Sequence, residues 1–382
     1  MNVNQIYELA NESTSQVLGE KGVLEKDLSN VIAVGTELFN ANAVDNYVKT
    51  LVDRIGKVLF VNRPYSGSIP SVLMDSWEYG SVVEKIQMDI PQAQVNESWN
   101  LTDGASYDPN IFYKPSISVK FFNQMNTFEI PISITEKQVK ESFTSAQSLG
   151  AFVAMIWTAV ENSMTLKLDS LILSTIANMI SLTDSANEGK TSQHIHLLTE
   201  YKTNIDTTFT KTGETALTDL NFLKYCAYRV KLVAERMSKF STVFNAGGKQ
   251  RHTPKDLMHI VLLSDFKNAA DVYLQSDTFH NELSALPNSE SVNYWQGSGD
   301  DTEAYTFTNT SKINIKDTSG NSYVKSNIIG VIFDRDALGV SKLDQRIKSH
   351  VNEKAEFYNY WYKADVGYFN DLNENFVCFL VD

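Results

Sequence analysis

The feature that most restricts how this chain can fold is a pair of stretches in which apolar and polar residues alternate strictly. The apolar positions are Ile86, Met88, Ile90, Ile117, Val119 and Phe121. The alternating polar positions include Lys85, Gln87, Asp89, Ser116, Ser118 and Lys120. A period of two is typical of β-strands, and residues 96–115 between the stretches are rich in turn-forming Asn, Asp, Gly and Pro. We therefore predict a long hairpin whose strands, at about 3.3 Å per residue, reach about 30 Å.

Such a hairpin cannot be a free-standing unit. A two-stranded ribbon is only marginally stable in water, so its apolar face has to pack against its own domain or against another subunit. A third alternating run follows, with Phe128, Ile130, Ile132 and Ile134 on one face. Pro131 within this run and Pro91 after the first stretch lack the N–H that a sheet ladder needs, so both favour edge positions.

A change of period at residue 135 indicates that a long helix follows the strands. Thr135 and Gln138 have the spacing of a capping box at a helix start. Apolar residues then recur at helical spacing from Leu149 to Ile180 without a proline, a distance of about 48 Å if the helix is continuous. Globular helices are usually far shorter, so we predict a structural backbone that is buried along much of its length.

The remaining elements are predicted from shorter patterns. Residues 1–40 carry apolar positions too sparse to bury on their own, which predicts either a loosely ordered terminus or an arm across a neighbouring molecule. One helix is predicted from residue 41 to a stop at Gly56. A second is predicted over Thr218–Lys239, with Thr218 or Asp219 as its cap, and a third from Ser264 to about Gln275. Strands are predicted at 258–263, 328–333, 347–351, 356–367 and 376–381, and mainly loops at 181–216 and 281–327.

Length and charge limit the class of protein. A chain of 382 residues is expected to form one or two interpenetrating domains, and its 42% of hydrophobic residues can supply a well-packed core. Its formal charge of −13 argues against tight phosphate binding, which depends on an excess of Lys and Arg. We expect no secretory signal, and no apolar stretch of the ~20 residues that a bilayer requires. Cys226 and Cys378 are expected to be reduced core residues.

No pattern of residues predicts chemistry. Gly247-Gly248-Lys249-Gln250 fails as a phosphate loop because Ser or Thr does not follow the lysine. His194 and His196 have no third ligand nearby, so a surface pair without metal is expected. Asp334 and Asp336 flank an arginine after a strand, which favours a turn stabilised by ion pairs over a catalytic carboxylate pair. The aromatic run 357–362 lacks basic residues for nucleic-acid stacking and favours core or subunit packing.

The order of these elements resembles that of tailed-phage major capsid proteins, a fold shared with encapsulins and the floor of the herpesvirus capsid. The segments Gly330–Gly339, Tyr362–Asp365 and Tyr368–Asp371 look like capsid sequences in particular. The resemblance implies an α+β capsid fold with an N-terminal arm at 1–40 and an extended hairpin, the E-loop, at 66–132. It further implies an axial domain at 215–328 and a peripheral domain at 41–65, 133–214 and 329–382, with a spine helix at about 145–180.

The function implied by the resemblance is self-assembly, as pentamers and hexamers, into an icosahedral shell enclosing double-stranded phage DNA. The expected partners are copies of itself and portal and scaffolding proteins, with no sequence-specific DNA binding and no membrane. The expected location is the virion, after assembly in the host cytoplasm, and no catalytic, cofactor or metal site is expected. The six apolar hairpin residues are the candidate subunit contacts: Ile86, Met88, Ile90, Ile117, Val119 and Phe121.

Three alternatives remain open at this point. An encapsulin-like shell would have the same fold. An unrecognised enzyme could use Asp334 and Asp336 with the loop-rich stretch 281–327. A phage adhesin or tail component could account for the aromatic strands near the end of the chain.

Overall fold

The computed structural model describes residues 3–61, 69–74, 83–91, 93–94, 96, 98–114, 116–186, 192–276, 289–297, 307–309, 311–316 and 322–382. The helices are α1 (Val3–Leu18), α2 (Val31–Asn40), α3 (Val44–Val61), α4 (Glu136–Ser142), α5 (Ala146–Ala186), α6 (Leu197–Asn204), α7 (Leu220–Met237) and α8 (Ser264–Ser276). Short 3-10 helices lie at Gly19–Gly22, Pro70–Val72 and Gly213–Thr218.

The strands are numbered in the order in which they occur along the chain. The first eight are β1 (Leu73–Met74), β2 (Val83–Met88), β3 (Ile117–Phe122), β4 (Met125–Thr135), β5 (His194–His196), β6 (Met258–Leu263), β7 (Glu290–Val292) and β8 (Gln296–Gly297). The others are β9 (Phe307–Asn309), β10 (Ile313–Lys316), β11 (Ser322–Lys325), β12 (Ile328–Asp334), β13 (Leu338–Asn352), β14 (Phe357–Asn370) and β15 (Phe376–Leu380). The fold is therefore α+β.

The N-terminal region is neither loosely ordered nor extended away from its own chain. Helices α1 and α2 pack with α3 and the first half of α5 in one hydrophobic core. The buried residues are Leu9 and Ala10 of α1, Leu24 and Leu28 of the connection, and Val31, Val34 and Leu38 of α2. The sparse apolar positions suffice because α3 and α5 supply most of the apolar surface. The arm at residues 1–40 stays a prediction, since packing within the chain leaves contacts with a neighbouring molecule untested.

Helix α3 continues through Gly56 to Val61, so the predicted stop at this glycine is wrong. A glycine inside a helix costs about 1 kcal/mol relative to alanine. Val48, Leu51 and Ile55 are fully buried on the same helix, and burial of side chains of this size contributes about 1.5–3 kcal/mol each. Packing therefore outweighs the local preference.

Helix α5 confirms the predicted spine and extends beyond it, with 41 residues and a length of about 62 Å. Its first half, including Leu149, Val153 and Ile156, lies in the core with α1–α4. Its second half, including Ile172 and Ile176, lies in a second core beneath the sheets. Helix α5 therefore contributes residues to two hydrophobic cores and connects them.

By length and composition α5 would also be able to cross a membrane, contrary to expectation. The central helix of a water-soluble protein has the same length and composition. The buried residues of α5 are in contact with protein cores on both halves of the helix.

A four-stranded sheet has the order β1-β13-β14-β4. The β13–β14 pair is antiparallel, and β4 pairs with β14 along its whole length from Met125 to Thr135. Strand β4 is an edge strand, which is the position predicted for Pro131. Tyr358, Tyr360 and Tyr362 alternate toward the core, which confirms that the aromatic run 357–362 packs internally.

A five-stranded sheet has the order β5-β15-β12-β6-β7. The second half of α5 covers one face, and α6, α7 and α8 cover the other. The predicted strands at 258–263, 328–333 and 376–381 are confirmed here and are buried on both faces. This sheet combines strands from both sides of the predicted axial boundaries, so the domain division at 215 and 328 stays a prediction.

Smaller features also bear on the predictions. The capping box of Thr135 and Gln138 is present, and of the two candidate caps for α7 it is Asp219 that accepts the hydrogen bonds. Cys226 and Cys378 are free and buried, as expected. The predicted loop at 181–216 is wrong in part, because the end of α5, β5 and α6 occupy much of it.

Candidate subunit-contact surface

Strands β2 and β3 form the predicted two-stranded ribbon. Ile86 lies opposite Val119, and Met88 lies opposite Ile117. The Asp89 amide extends the ladder by donating to the Ser116 carbonyl oxygen at 2.9 Å. The paired strands are six residues long, about 20 Å, and so shorter than predicted. Strand β4 is not part of the ribbon because it pairs with β14; residues 66–68 and 75–82 lie outside the described residues.

The apolar face of the ribbon points away from the body of the subunit. The six predicted contact residues have exposed fractions between 44% and 66%: Ile86, Met88, Ile90, Ile117, Val119 and Phe121. Single exposed apolar residues are common on protein surfaces, but a contiguous apolar patch marks an interaction site. The ribbon therefore presents an unpartnered face of the chemistry that subunit contacts use.

The segment that joins the two strands is predicted from the sequence only as a turn region. It carries a second group of exposed apolar side chains. They are Trp99, Leu101, Tyr107, Ile111, Phe112 and Tyr113. Trp99 is 94% exposed, which is extreme for a side chain that large. The signal that could have revealed them is the density of aromatic residues in a segment otherwise rich in Asn, Asp and Gly.

The polar face of the ribbon points inward and meets the chain between β14 and β15. Lys85 Nζ lies 3.1 Å from an Asp371 carboxylate oxygen and 2.8 Å from one of Glu374. Lys120 Nζ lies 2.7 Å from the other Asp371 oxygen. The Asp371 side chain is completely buried, and that of Glu374 is 10% exposed. Two ribbon lysines thus compensate two carboxylates that solvent hardly reaches.

A second part of the body, between α7 and β6, also contacts the polar face. Lys249 Nζ lies 2.9 Å from Asp89, and the Arg251 guanidinium donates to the Gln87 amide oxygen at 2.5 Å. The Gln87 amide nitrogen donates to Glu374 at 2.8 Å. These groups were not predicted as functional, because they come from segments that are distant in sequence.

Burial and charge act differently on the two carboxylates. Burial acts to raise the pKa of Asp371, but the hydrogen bond from Lys120 and the charge of Lys85 hold it below its ordinary value. Burial raises the pKa of Glu374, and the nearby Lys85 and Arg251 offset this only in part. The ribbon lysines are therefore needed to keep Asp371 ionised in a buried position.

The groups considered for chemistry have structural roles. His194 is buried rather than at the surface, and its Nε2 lies 3.0 Å from the Thr183 hydroxyl. His196 Nδ1 lies 2.5 Å from an Asp382 carboxylate oxygen. Within the described ranges, no group of three His, Cys, Asp or Glu residues could hold a metal ion.

Asp334 and Asp336 are part of a turn that is held by hydrogen bonds to backbone amides. The buried Asp334 carboxylate accepts the Asp336 amide at 2.9 Å. The Asp334 carbonyl oxygen accepts the Ala337 amide, and the Arg335 amide donates to the Leu257 carbonyl oxygen. The predicted turn is therefore present, and among the described residues hydrogen bonds to backbone amides hold it.

Comparisons with known proteins identify phage capsid proteins as similar. The family model of the Phi29-like phage major capsid protein matches residues 7–380. The major capsid protein of Bacillus phage GA-1 is 26% identical over 121 residues, which is 31% of this chain and 24% of that protein. The matched region thus spans about a quarter of the relative's length.

Two solved structures illustrate the structural similarity. The capsid structure of Staphylococcus phage Andhra has a TM-score of 0.49 and 10% identity, covering 81% of this chain and 83% of that one. The capsid structure of the cyanophage P-SCSP1u has a TM-score of 0.47 and 12% identity, covering 85% and 93%.

Proposed function

The chain belongs to the Phi29-like phage major capsid protein family, and from this premise we propose that it assembles with copies of itself into the shell of a phage head. The observation that carries the proposal is the ribbon, whose polar face contacts its own subunit while its apolar face is exposed. An exposed apolar face on a two-stranded ribbon is unfavourable in an isolated subunit and is favourable once a second subunit covers it.

The proposal also specifies the geometry of the shell, its contents and its further partners. The copies form pentamers and hexamers of an icosahedral shell, which encloses double-stranded DNA and forms part of the virion. Assembly takes place in the host cytoplasm, with portal and scaffolding proteins as further partners. The chain carries out no catalysis and uses no cofactor. An encapsulin-like shell is not favoured, because the matching family model is that of phage capsid proteins.

We further propose that the ribbon packs over the α5 region of the adjacent subunit. The six apolar residues are each about half exposed, so covering them contributes roughly half of the 1.5–3 kcal/mol per side chain, or about 5–9 kcal/mol. Association itself costs about 4–15 kcal/mol. The two ranges overlap, so the gain from the ribbon face is of the same size as the cost of association, and exposed apolar surface in the connecting segment, such as Trp99 and Phe112, adds to the contact.

The experiment changes two residues that lie opposite each other on the apolar face, Ile86→Asp with Val119→Asp. The expected result is a folded subunit by circular dichroism that forms no shells in electron micrographs, because two buried, unpaired carboxylates disfavour the contact. The matched control, Ile86→Val with Val119→Ile, keeps the face apolar and should assemble. If the Asp variant unfolds, the apolar face of the ribbon belongs to the core of its own subunit. If the Asp variant assembles normally, the apolar face is not a subunit contact.

A further inference from the structure

We propose that four body residues, Lys249, Arg251, Asp371 and Glu374, form an ionic clamp that positions the ribbon for assembly by fixing which face it presents. The clamp holds the polar face through Lys85, Gln87, Asp89 and Lys120. The inference rests on the proposed function for its consequence, shell assembly. None of the four clamp residues belongs to the apolar contact face, so each acts through the orientation of the ribbon.

The orientation of the ribbon is opposite to what burial of apolar surface alone would produce. The hydrophobic effect favours turning Ile86, Val119 and Phe121 toward the body. Turning the ribbon over would remove Lys85 and Lys120 from the fully buried Asp371 side chain. A buried carboxylate that loses its cations is strongly disfavoured. The clamp therefore selects the orientation in which the apolar face remains available to a partner.

The clamp also specifies the position of the ribbon along the body. Lys85, Gln87 and Asp89 lie on one face because side chains alternate along a strand. Lys85 meets two carboxylates, whereas Asp89 meets Lys249. The order of charge on the ribbon thus complements the order on the body. A shift by two residues would bring Asp89 toward Glu374, so neighbouring registers place like charges together.

The body side of the clamp is held together without the ribbon. The Asp371 amide donates to the Ala337 carbonyl oxygen at 2.7 Å, and the Gly247 amide donates to the Leu372 carbonyl oxygen at 2.9 Å. A Cβ at residue 247 would lie 2.1 Å from the Asn373 side-chain oxygen. The glycine therefore permits the close approach of the two segments that carry the clamp residues. A preformed body side can direct the ribbon as it docks.

The test uses Asp89 and Lys249, whose side chains are 43% and 31% exposed, so charge changes there leave no fully buried charge. Asp89→Lys should repel Lys249 and loosen the ribbon. Since exposed ion pairs change equilibria by factors of about two to five, amide hydrogen exchange in β2 and β3 should become about five-fold faster. Shell yield should fall in parallel. The double variant Asp89→Lys with Lys249→Asp should restore both measurements.

The control is Lys137→Glu, a charge reversal at the exposed Lys137–Glu141 pair on α4, which should change neither measurement. The clamp proposal is overturned if Asp89→Lys leaves exchange and yield at parent values, or if the swapped pair fails to restore them. The proposed function is tested separately by the parent chain and the apolar-face variants. If the parent forms no shells, that function fails, and the exchange measurement on the subunit still decides whether the clamp exists.

Discussion

At the scale of single residues, His194 shows how burial changes the chemistry of a side chain. It lies on β5 beside the end of α5, and its ring is almost completely buried. Burial lowers the pKa of His194 to about 4, and the nearby Asp184 opposes this only in part. Lys325, His196 and Asp382 also act on it from β11, β5 and the end of the chain. The neutral ring is therefore the form compatible with the folded subunit.

The lowered pKa predicts a loss of stability in mild acid. The unfolded chain binds a proton at His194 below about pH 6.5, whereas the folded chain does so only near pH 4. The contribution of His194 is therefore fully present above pH 6.5 and is lost as the pH falls toward 4. Urea unfolding of the unassembled subunit should show a decrease of about 2–3 kcal/mol between pH 7 and pH 4.5 from this residue alone.

The matched variant is His194→Gln, which removes the titration and keeps a polar group near Thr183. Its free energy of unfolding should fall less than that of the parent over the same pH range. Equal losses in parent and variant would show that other groups govern the acid sensitivity.

At the scale of elements, the junction between β4 and α4 contains the capping box that the local sequence predicts. The Thr135 hydroxyl accepts the Gln138 amide, and the Gln138 side chain accepts the Thr135 amide. These contacts satisfy amide groups that a helix start otherwise leaves without partners. The junction directs the chain from the edge of the four-stranded sheet toward α5.

Thr135→Ala removes the cap and should lower the free energy of unfolding by about 1 kcal/mol. Thr135→Ser keeps the hydroxyl and should lie close to the parent. Chemical unfolding of the three subunits provides the comparison. An alanine variant as stable as the parent would mean that contacts of α4 with its surroundings make the cap unnecessary.

At the scale of the whole molecule, the excess of acidic residues determines how strongly the subunit can bind phosphate groups. The chain has 33 basic and 46 acidic residues. Four of its cations, Lys85, Lys120, Lys249 and Arg251, are already paired with carboxylates at the ribbon. Phosphate binding depends on cations that are free to displace counterions. A subunit of this composition is poorly suited to tight phosphate binding.

We accordingly predict that DNA binding by the subunit is weak and independent of sequence. Gel-shift assays at physiological salt with two unrelated duplexes should show no difference between them and no tight complex. Competition with a polyanion and a salt titration serve as controls for residual electrostatic binding. A tight complex with one duplex and not the other would contradict the prediction.

Several parts of the fold could be predicted from the sequence because their causes are local. The alternation around Ile86 and Val119 indicated strands, the proline-free run from Leu149 indicated α5, and the spacing of Thr135 and Gln138 indicated a cap. Each depends on side-chain periods or hydrogen bonds within a few residues. The alternation also defined the two faces of the ribbon, since side chains two apart share a face.

Which face points outward was decided only by the tertiary structure. The sequence left open whether the apolar face packs on its own domain, and it left residues 1–40 without an internal partner. Both outcomes depend on contacts between distant segments: Gln87 and Glu374 are 287 positions apart in the chain, and α1 and α2 bury against α3 and α5. The order of residues within a short segment does not show which distant segment will pack against it. The burial of Glu374 and of the apolar residues of α1 and α2 occurs only when segments far apart in the chain come together.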